Sequence, residues 1–380
     1  SADEFRQYEA LLADTDDTDP MIPIAFEDAF NLIYSSGTTG TPKGILHNHW
    51  MRAAQMDRVT PNGYDDNART LLSTPLYSNT TIVSLLPTLV GGSTVHLMPK
   101  FDAHAYLETV EREAITHTML VPVQYKRIMD VPEFEAFDLS SMRVKFSTSA
   151  PLRADVKADV LARFPGKLVE YYGLTEGGGV TVLVADEHPT KLHTVGLPAP
   201  GTEIRLIDAD GNEVPPGTVG EICGRGPTMM AGYFGRDDLT SEYIWRDAAG
   251  AVYFRSGDMG RFDEDGFLIL SDRKKDMIIS GGLNIYADDL ELALLADADV
   301  QDAAVIGVPS EAWGETPLGL VVLKPGAQST AAAICERANV ALGKSQRLSA
   351  VELRDSLPRS SIGKILKRDL RAPYWDGQPQ

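Results

Sequence analysis

One segment of this sequence concentrates glycines, hydroxyl side chains and a lysine directly after an apolar run. It is Tyr34-Ser35-Ser36-Gly37-Thr38-Thr39-Gly40-Thr41-Pro42-Lys43-Gly44. Glycines let a backbone approach an anion, N–H and O–H groups can then surround phosphate oxygens, and the lysine adds positive charge. A flexible surface loop has a similar composition and is the alternative. Because Pro42 and Gly44 flank Lys43, the Gly-Lys-Ser/Thr order of a Walker A loop is absent, which excludes a P-loop kinase or ATPase.

Further segments carry side chains suited to a nucleotide or a metal ion. They are Thr148-Ser149-Ala150-Pro151-Leu152, Tyr171-Tyr172-Gly173-Leu174-Thr175-Glu176, Tyr253-Phe254-Arg255-Ser256-Gly257-Asp258 with Asp272-Arg273-Lys274-Lys275-Asp276, and Pro358-Arg359-Ser360-Ser361-Ile362-Gly363-Lys364. Each has an ordinary explanation when taken alone. Thr175-Glu176 could cap a helix, and Lys364 could be one of the solvated lysines of a basic tail.

Taken together, these segments resemble in order and spacing the motifs of the ANL superfamily of adenylate-forming enzymes, in its acyl-CoA synthetase (fatty-acid and aryl CoA ligase) branch. The resemblance extends from Tyr34 to Lys364. It implies a large N-terminal α/β domain, with mixed sheets, helices and a β-rich subdomain, followed by a smaller α+β C-terminal domain. It also implies an ATP-dependent ligase that forms an acyl-adenylate and then an acyl-CoA thioester, with ATP, Mg²⁺ and coenzyme A.

The resemblance assigns roles around the nucleotide. Adenine would lie against Ser149, Ala150 and Pro151 and stack on Tyr172, with Tyr171 and Gly173 beside it. Ribose hydroxyls would donate to Asp258, and Arg273 would reach ribose and phosphate. Thr175 would contact phosphate while Glu176 holds Mg²⁺, which proteins usually bind through one or two carboxylates and substrate phosphates.

The resemblance further makes Lys364 the catalytic lysine, because its ammonium can stabilise charge between the attacking carboxylate and the α-phosphate. Lys275 occupies the hinge position about which the C-terminal domain rotates. Ser280, Gly281 and Gly282 would then line the pantetheine tunnel. Trp313 matches a position that stacks on the CoA adenine, although a core or lid residue is equally compatible with the sequence.

The acid pocket is expected to involve Tyr77, Ser78, Val121, Gly177, Gly178 and Gly179. The segments around these residues carry no charged side chain, and burying an unpaired amine or second carboxylate would be costly, so amino acids and dicarboxylates are not expected as substrates. The three glycines leave space beside the adenylate for an extended acyl chain or a flat ring. Fatty acids are slightly favoured over aryl acids, and the choice stays open.

Two alternatives remain from the sequence. The same fold could load a carrier protein, although Ser78 stands where amino-acid-activating relatives have an aspartate. A non-catalytic nucleotide-binding fragment is the second, because the family's phosphate loop follows a substantial N-terminal subdomain and here it begins at residue 34. We expect that portion to be missing, supplied separately or removed, and the natural gene product to extend upstream of Ser1.

Composition limits the partners and the location. The chain has 380 residues and a net charge of −19, which argues against nucleic acid as a partner. No apolar run reaches the roughly 18 residues of a membrane span. Cys223 and Cys335 have no metal or redox spacing, so both are expected to be packing residues in a reduced, cytoplasmic protein. The expected partners are a small carboxylic acid, ATP and CoA, and a homodimer is possible.

A change in patterning near Asp272 divides the chain into 1–271 and 272–380, which the resemblance identifies as a partial AMP-binding domain and a mobile C-terminal domain. Alternating buried strands and amphipathic helices predict a parallel sheet in the first half. The predicted strands are Asn31–Tyr34, Thr94–Met98, Thr118–Val121, Val144–Phe146 and Leu168–Tyr171, and the helices include Ala103–Ala114 and Ala154–Arg163. Turn-rich β structure is expected after His193, and a basic helix is expected at Lys364–Leu370.

Overall fold

The computed structural model describes residues 8–13, 15–35, 42–273, 276–280, 283–343, 346–360 and 363–375. Several residues that the sequence assigned to the site lie outside these ranges: Ser36, Gly37, Thr38, Thr39, Gly40, Lys275, Gly281 and Gly282. The side chain of Arg273 lies outside the description as well.

Strands and helices alternate along the described ranges. The strands are β1 (Ala29–Ser35), β2 (Lys43–Asn48), β3 (Arg69–Leu72), β4 (Thr94–Leu97), β5 (His117–Leu120), β6 (Val144–Ser147), β7 (Lys167–Tyr172), β8 (Thr181–Val184), β9 (Leu197–Pro198), β10 (Glu203–Ile207), β11 (Gly220–Arg225), β12 (Gly232–Tyr233), β13 (Ile244–Arg246), β14 (Val252–Phe262), β15 (Leu268–Arg273), β16 (Ile278–Ser280), β17 (Leu283–Ile285), β18 (Val300–Ser310), β19 (Gly314–Leu323) and β20 (Ala350–Leu353). The helices are α1 (Tyr8–Ala13), α2 (His49–Val59), α3 (Asn79–Val90), α4 (Ala103–Arg112), α5 (Pro122–Met129), α6 (Ala154–Arg163), α7 (Asp237–Glu242), α8 (Ala287–Leu295), α9 (Ala331–Ala341) and α10 (Lys367–Trp375).

The largest sheet has seven strands in the order β4-β3-β5-β6-β7-β8-β9. Strands β4, β3, β5, β6 and β7 are parallel, and β8 and β9 are antiparallel to their neighbours. Every residue of β5 and β6 is buried, as expected for strands covered by helices on both faces. The predicted parallel sheet is therefore confirmed, and the run at Asn31–Tyr34 is the one predicted strand that lies elsewhere.

That run forms β1 in a separate antiparallel sheet of order β1-β2-β12. Strand β1 ends at Ser35, directly opposite Lys43 at the start of β2. The glycine-rich segment therefore connects two strands of a hairpin, and a hairpin necessarily returns the chain antiparallel. The sequence placed this strand in the wrong sheet because a short apolar run does not specify its partners.

The predicted β-rich part is a five-stranded antiparallel sheet, in which β10, β11, β14 and β13 follow one another and β15 pairs with β14. The C-terminal part is α+β, as predicted, with the order β17-β16-β19-β18 and β20 parallel to β19. No helix in the described ranges combines the length and hydropathy that crossing a membrane requires. The domain boundary at residue 272 stays a prediction.

The last helix begins at Lys367, whereas the sequence placed its start at Lys364. The backbone N–H of Ser360 donates to the carbonyl of Lys364 at 2.8 Å, and the Ser360 Oγ accepts from the Lys364 N–H at 3.2 Å. Gly363 has a φ of +78°, which a continuing α-helix does not allow. Lys364 therefore lies in a turn before the helix.

A buried ion pair supports the segment that follows β6. Lys157 on α6 and Glu170 on β7 are each 1% exposed and form an ion pair with one another. The Glu170 carboxylate also accepts from the backbone N–H of Leu152 at 2.8 Å, so the pair ties the Thr148–Leu152 segment to the sheet. The Lys157 ammonium donates to the carbonyls of Leu192 and Thr194, both at 2.9 Å.

Close backbone packing holds the loop after β7 against β11 and the segment that follows it. Gly177 has a φ of +71°, and a Cβ built on it would lie 1.6 Å from the carbonyl oxygen of Thr228. A Cβ on Gly224 would lie 2.1 Å from the Cα of Gly179. Glycine is thus required here because two backbones are in direct contact.

We expect Lys157→Met to lower the free energy of unfolding by about 3–5 kcal/mol, because the Glu170 carboxylate would remain buried without its partner. Urea unfolding would measure the loss. The double variant Lys157→Met/Glu170→Gln should recover a large part of it, since the buried charge is then removed while an acceptor for the Leu152 N–H is kept. A single variant within about 1 kcal/mol of wild type would contradict the role of the pair.

Gly177→Ala should destabilise the protein more than Gly217→Ala. Gly217 also has a positive φ, of +78°, but nothing lies within 4 Å of its built Cβ. The control should therefore cost only the left-handed backbone conformation, about 1–2 kcal/mol. Gly177→Ala should lose a further 1–3 kcal/mol or more, roughly the cost of overpacking a tight contact. Equal losses in urea unfolding would show that the contact with Thr228 is unimportant.

Candidate active site

Lys43 begins β2, at the end of the predicted phosphate loop, and lies next to two tyrosines. Its ammonium donates to the hydroxyl of Tyr243 at 2.8 Å and lies 4.3 Å from the centroid of the same ring. The ring centroid of Tyr233 is 5.3 Å from it. At the other end of the hairpin, Ser35 is the register partner of Lys43, so both ends of the predicted phosphate loop are brought together.

Glu176 follows β7 and is held by residues 230 and 233. The Tyr233 hydroxyl donates to Glu176 Oε1 at 2.8 Å, and the backbone N–H of Met230 donates to the Glu176 carbonyl at 2.8 Å. Burial and the neighbouring Glu176 charge raise the pKa of Tyr233 well above its usual value, so the phenol stays protonated as the donor. Nothing local in the sequence pointed to Tyr233, which is 57 residues from Glu176.

The donor set at Glu176 suits Mg²⁺, a hard cation that binds oxygen ligands. Glu176 offers carboxylate oxygens, and in the described ranges no group of three His, Cys, Asp or Glu side chains could hold a metal ion. A cation here would therefore complete its shell with nucleotide phosphates and water, which is the way Mg²⁺ is usually held in nucleotide enzymes.

His47 fixes the backbone at Thr175. Its Nε2 lies 2.8 Å from the Thr175 carbonyl oxygen, and its Nδ1 lies 2.6 Å from Nη2 of Arg52. A guanidinium can only donate and a carbonyl can only accept, so the ring must be the neutral tautomer with its proton on Nε2. Burial and the Arg52 charge lower the pKa of His47 to about 4, which agrees with that state. Asn48 caps α2 by accepting from the Met51 N–H.

Arg52 is 1% exposed and connects three elements. Its guanidinium donates to the side-chain oxygens of Asn31 on β1, Gln55 on α2 and Asn79 on α3, at 2.9, 2.6 and 2.8 Å. Burial lowers the pKa of Arg52 to about 10, which still leaves it charged at neutral pH. Asn79 directly follows the predicted pocket residue Ser78. The buried Arg52 therefore joins β1, which leads into the predicted phosphate loop, to the segment predicted to line the acid pocket.

The predicted adenosine residues on β7 and β14 are in contact. The Tyr172 hydroxyl donates to Asp258 Oδ2 at 3.1 Å, and both residues are buried. Asp258 lies directly opposite Arg273 across the β14–β15 pair. The structure therefore brings Tyr172, Asp258 and the backbone of Arg273 together, and their roles at adenine and ribose stay predictions. Gly173 directly follows β7 and continues the chain towards Thr175.

Ser149 has a φ of +79°, which is unusual for a residue with a side chain. Its hydroxyl lies 2.6 Å from that of Thr80 on α3, a contact that helps to fix the strained backbone. Ala150 and Pro151 continue this segment next to the buried Leu152. Tyr171, on the other face of β7 from Tyr172, stacks on Phe146 with ring centroids 5.8 Å apart, and burial raises its pKa to about 12.

A cavity of about 630 Å³ lies beside this region. It is lined by residues 72–77, residues 97–101, Val121, Val123, Gln124, Arg127, Arg359, Ser360 and Gly363. Tyr77 and Val121, both predicted pocket residues, are among them. Ser78 and the glycines at 177–179 are not, and packing against Gly224 and Thr228 accounts for those glycines. Their role in substrate binding stays a prediction.

The turn that carries Lys364 lies at this cavity. A Cβ built on Gly363 would lie 2.3 Å from Cγ1 of Val123 on α5, so the turn is in direct contact with that helix. The Arg359 guanidinium donates to the Gly363 carbonyl at 2.7 Å and pairs with Asp302 at 2.5 Å, which holds the turn closed. The predicted catalytic lysine and the predicted acid pocket are therefore neighbours.

The cavity also has basic side chains that the pocket segments did not reveal. Lys100, Arg127 and Arg359 line it, and within the described ranges Lys100 and Arg127 form no ion pair. They come from the β4–α4 connection, α5 and the C-terminal part, so only the folded chain brings them together. The sequence argued against dicarboxylates because the pocket segments carry no positive charge. Since the folded cavity has basic side chains, that argument no longer holds.

Two of the residues predicted for CoA, Ser280 and Trp313, lie close together at the C-terminal sheet. Ser280 ends β16 and is the register partner of Gly314, next to Trp313. The side chain of Trp313 is 60% exposed, so its face is available to a ligand. Gly281 and Gly282 lie outside the described residues.

Comparisons with known proteins agree with this architecture. Residues 1–234 match the family model described as AMP-binding enzyme, and residues 289–364 match that of the AMP-binding enzyme C-terminal domain. The chain is 37% identical to a feruloyl-CoA synthase from Amycolatopsis sp over 362 residues, covering 94% of this chain and 72% of that protein. It is 32% identical to the medium/long-chain-fatty-acid–CoA ligase FadD8 of Mycobacterium tuberculosis, covering 92% of this chain and 62% of the relative.

The crystal structure of ATP-bound MatB from Rhodopseudomonas palustris superposes with a TM-score of 0.89 at 29% identity, over 97% of this chain and 72% of that one. The predicted fold and superfamily are confirmed. The chain belongs to the AMP-binding enzymes of the adenylate-forming ANL superfamily, within its carboxylate–CoA ligase branch.

Proposed function

We propose that the protein is an ATP-dependent acyl-CoA synthetase that activates a hydrophobic carboxylic acid as an acyl-adenylate and transfers the acyl group to coenzyme A. The observation that carries this proposal is the position of the Lys364 turn, which packs on Val123 at the edge of the 630 Å³ cavity. A lysine suited to adenylation thus lies next to the cavity suited to the acid.

In the first step, a substrate carboxylate oxygen forms a bond to the α-phosphorus of ATP, and pyrophosphate leaves as the α–β bridging bond breaks. Such nucleotidyl transfer depends on positioning and on neutralising charge. Lys364 would lie between the carboxylate and the α-phosphate, and Lys43 would face the outer phosphates. Mg²⁺, when bound by Glu176, would supply positive charge at the phosphates.

In the second step, the CoA sulfur attacks the acyl carbon and AMP leaves. We propose that the C-terminal part turns about Lys275, withdrawing Lys364 and presenting Ser280, Gly281 and Gly282 to the pantetheine arm. Trp313, exposed beside Ser280, would stack on the CoA adenine. The enzyme would thereby use one face of its C-terminal part for adenylation and another for thioester formation.

The acid is expected to be a fatty acid or an aryl acid. Most of the cavity lining is apolar, and its volume of about 630 Å³ is typical of small-molecule sites. The relatives named above act, by their names, on a feruloyl group and on fatty acids, so they support both classes. Lys100 and Arg127 could pair with a polar group at the far end of the acid or with a phosphate of CoA.

The surroundings of the enzyme are part of the proposal. Cys223 is buried in β11 and Cys335 lies on α9, and no disulfide joins these two thiols. Their reduced state fits a cytoplasmic location. Two further arrangements can be tested with the purified protein. They are a homodimer and the loading of a carrier protein in place of CoA.

Lys364→Ala should reduce acyl-adenylate formation by about 10²–10³-fold, the usual effect of removing one electrostatic contact to the transition state. Pyrophosphate release would measure the first step. Thioester formation from supplied acyl-adenylate and CoA should remain near wild type, because the lysine is withdrawn in that step. Lys126→Ala, which removes an exposed lysine paired with Asp130 on α5, is the matched control and should leave both steps unchanged. Equal losses in the two steps for Lys364→Ala would refute the assignment.

A substrate panel should give the highest kcat/KM for a fatty acid or an aryl acid. Pyrophosphate release over fatty acids, benzoates, cinnamates, amino acids and succinate, with CoA present or absent, provides the measurement. If Lys100 and Arg127 pair with the acid, their substitution by Met should lower kcat/KM for acids with a distal polar group only. If they pair with CoA, KM for CoA should rise with every acid. No pyrophosphate release with any acid would favour a non-catalytic protein.

A further inference from the structure

A short segment at residues 230–234 connects the two places where nucleotide phosphates are expected. Strand β12 within it pairs with β2, the strand that starts at Lys43. The Phe234 N–H donates to the Gly44 carbonyl at 2.7 Å, and the Met230 N–H donates to the Glu176 carbonyl at 2.8 Å. The segment therefore fixes the distance between the hairpin and the loop after β7.

Tyr233 makes this connection through its side chain as well. It is 3% exposed, and its hydroxyl donates to Glu176 Oε1 at 2.8 Å. The bond selects one orientation of the carboxylate and leaves Oε2 available, because no other hydrogen bond to this carboxylate is found within the described residues. The ring packs with Ile45, Met230 and Phe254, so its position does not depend on the hydroxyl.

Tyr243 plays the complementary part for Lys43. Its hydroxyl accepts from the Lys43 ammonium at 2.8 Å, and its ring stacks on Phe254 with centroids 5.7 Å apart. The rings of Tyr233 and Tyr243 meet edge to face at 5.9 Å. The cation and the carboxylate are thus each hydrogen-bonded to a tyrosine hydroxyl. A direct Lys43–Glu176 ion pair would neutralise the two groups that phosphate and metal need.

We propose that Tyr233 is a positioning residue that orients Glu176 for the metal ion of the bound nucleotide, while Tyr243 holds Lys43 apart from Glu176 until phosphate binds. This inference rests on the proposed function, since it assumes a nucleotide at this site. Both tyrosines lie outside the sequence motifs and hold residues predicted to bind phosphate and metal, Lys43 and Glu176.

The test compares binding of ATP with and without metal by isothermal titration calorimetry. Tyr233→Phe keeps the packed ring and removes the hydroxyl. The Kd for MgATP should rise about tenfold, in line with the loss of a hydrogen bond to a charged group, while the Kd for ATP in EDTA stays within about twofold. Tyr243→Phe should weaken both, and MgATP at least as much as ATP in EDTA, because a Lys43–Glu176 ion pair would occupy the cation that phosphate needs and the carboxylate that the metal needs.

Tyr253→Phe is the matched control. Tyr253 is also buried and its hydroxyl donates to a carboxylate at 2.9 Å, but that carboxylate belongs to Glu203 on β10, which is not among the residues predicted to bind nucleotide or metal. Neither Kd should change in this variant. A purely structural role for Tyr233 would shift both values together or lower the Tm without selectivity for metal.

A double variant keeps the inference testable if Tyr233→Phe is unstable. Because Tyr233 acts through Glu176, Tyr233→Phe/Glu176→Gln should bind MgATP no more weakly than Glu176→Gln alone. Additive losses, or equal shifts with and without metal, would overturn the inference. If the wild-type protein binds neither form of ATP, the proposed function itself fails, and the two outcomes are therefore distinguishable.

Discussion

The backbone contact between the loop after β7 and the neighbouring antiparallel sheet determines where most of the site residues can lie. The backbones of Gly177 and Gly179 lie so close to those of Thr228 and Gly224 that a Cβ atom would not fit between them. This contact joins the parallel sheet to the β-rich sheet next to Glu176. Consequently Tyr172 at the end of one sheet reaches Asp258 in the other, at 3.1 Å.

The second constraint is electrostatic. A chain with a net charge of −19 is proposed to bind ATP, whose phosphates would be repelled by the average surface. Positive charge is therefore needed locally, and it is present in Arg52, Lys43 and the Lys364 turn. Arg52 is the most buried of these, and its hydrogen bonds to three side-chain oxygens and to His47 replace the water it has lost. These hydrogen bonds offset the cost of burying Arg52. Because none of these partners is a carboxylate, they do not cancel its positive charge.

The sequence was sufficient for features that depend on neighbouring residues. Helix α6 has the predicted bounds, and the predicted strand at Leu168–Tyr171 is found within β7, shortly before Thr175 and Glu176. Contacts between distant segments were not predictable. Tyr233 lies 57 residues from Glu176 and Lys43 lies 200 residues from Tyr243, and no spacing rule links such pairs. The pairing of β1 with β2, and the arrival of Lys100 and Arg359 at one cavity, likewise depend on tertiary structure.

The contacts of the Lys364 turn are compatible with the proposed withdrawal of this lysine from the site. Arg359 holds the turn through Gly363 and through Asp302 on β18, and both partners lie in the C-terminal part. Lys367, just after the turn, pairs with Glu291 on α8 in that same part. The contact with the large domain, in contrast, is made by Gly363 against the aliphatic side chain of Val123. The strong polar contacts therefore keep the turn intact within the C-terminal part. The contact between Gly363 and Val123 is apolar and small, so losing it in the proposed rotation would break no hydrogen bond or ion pair between these two residues.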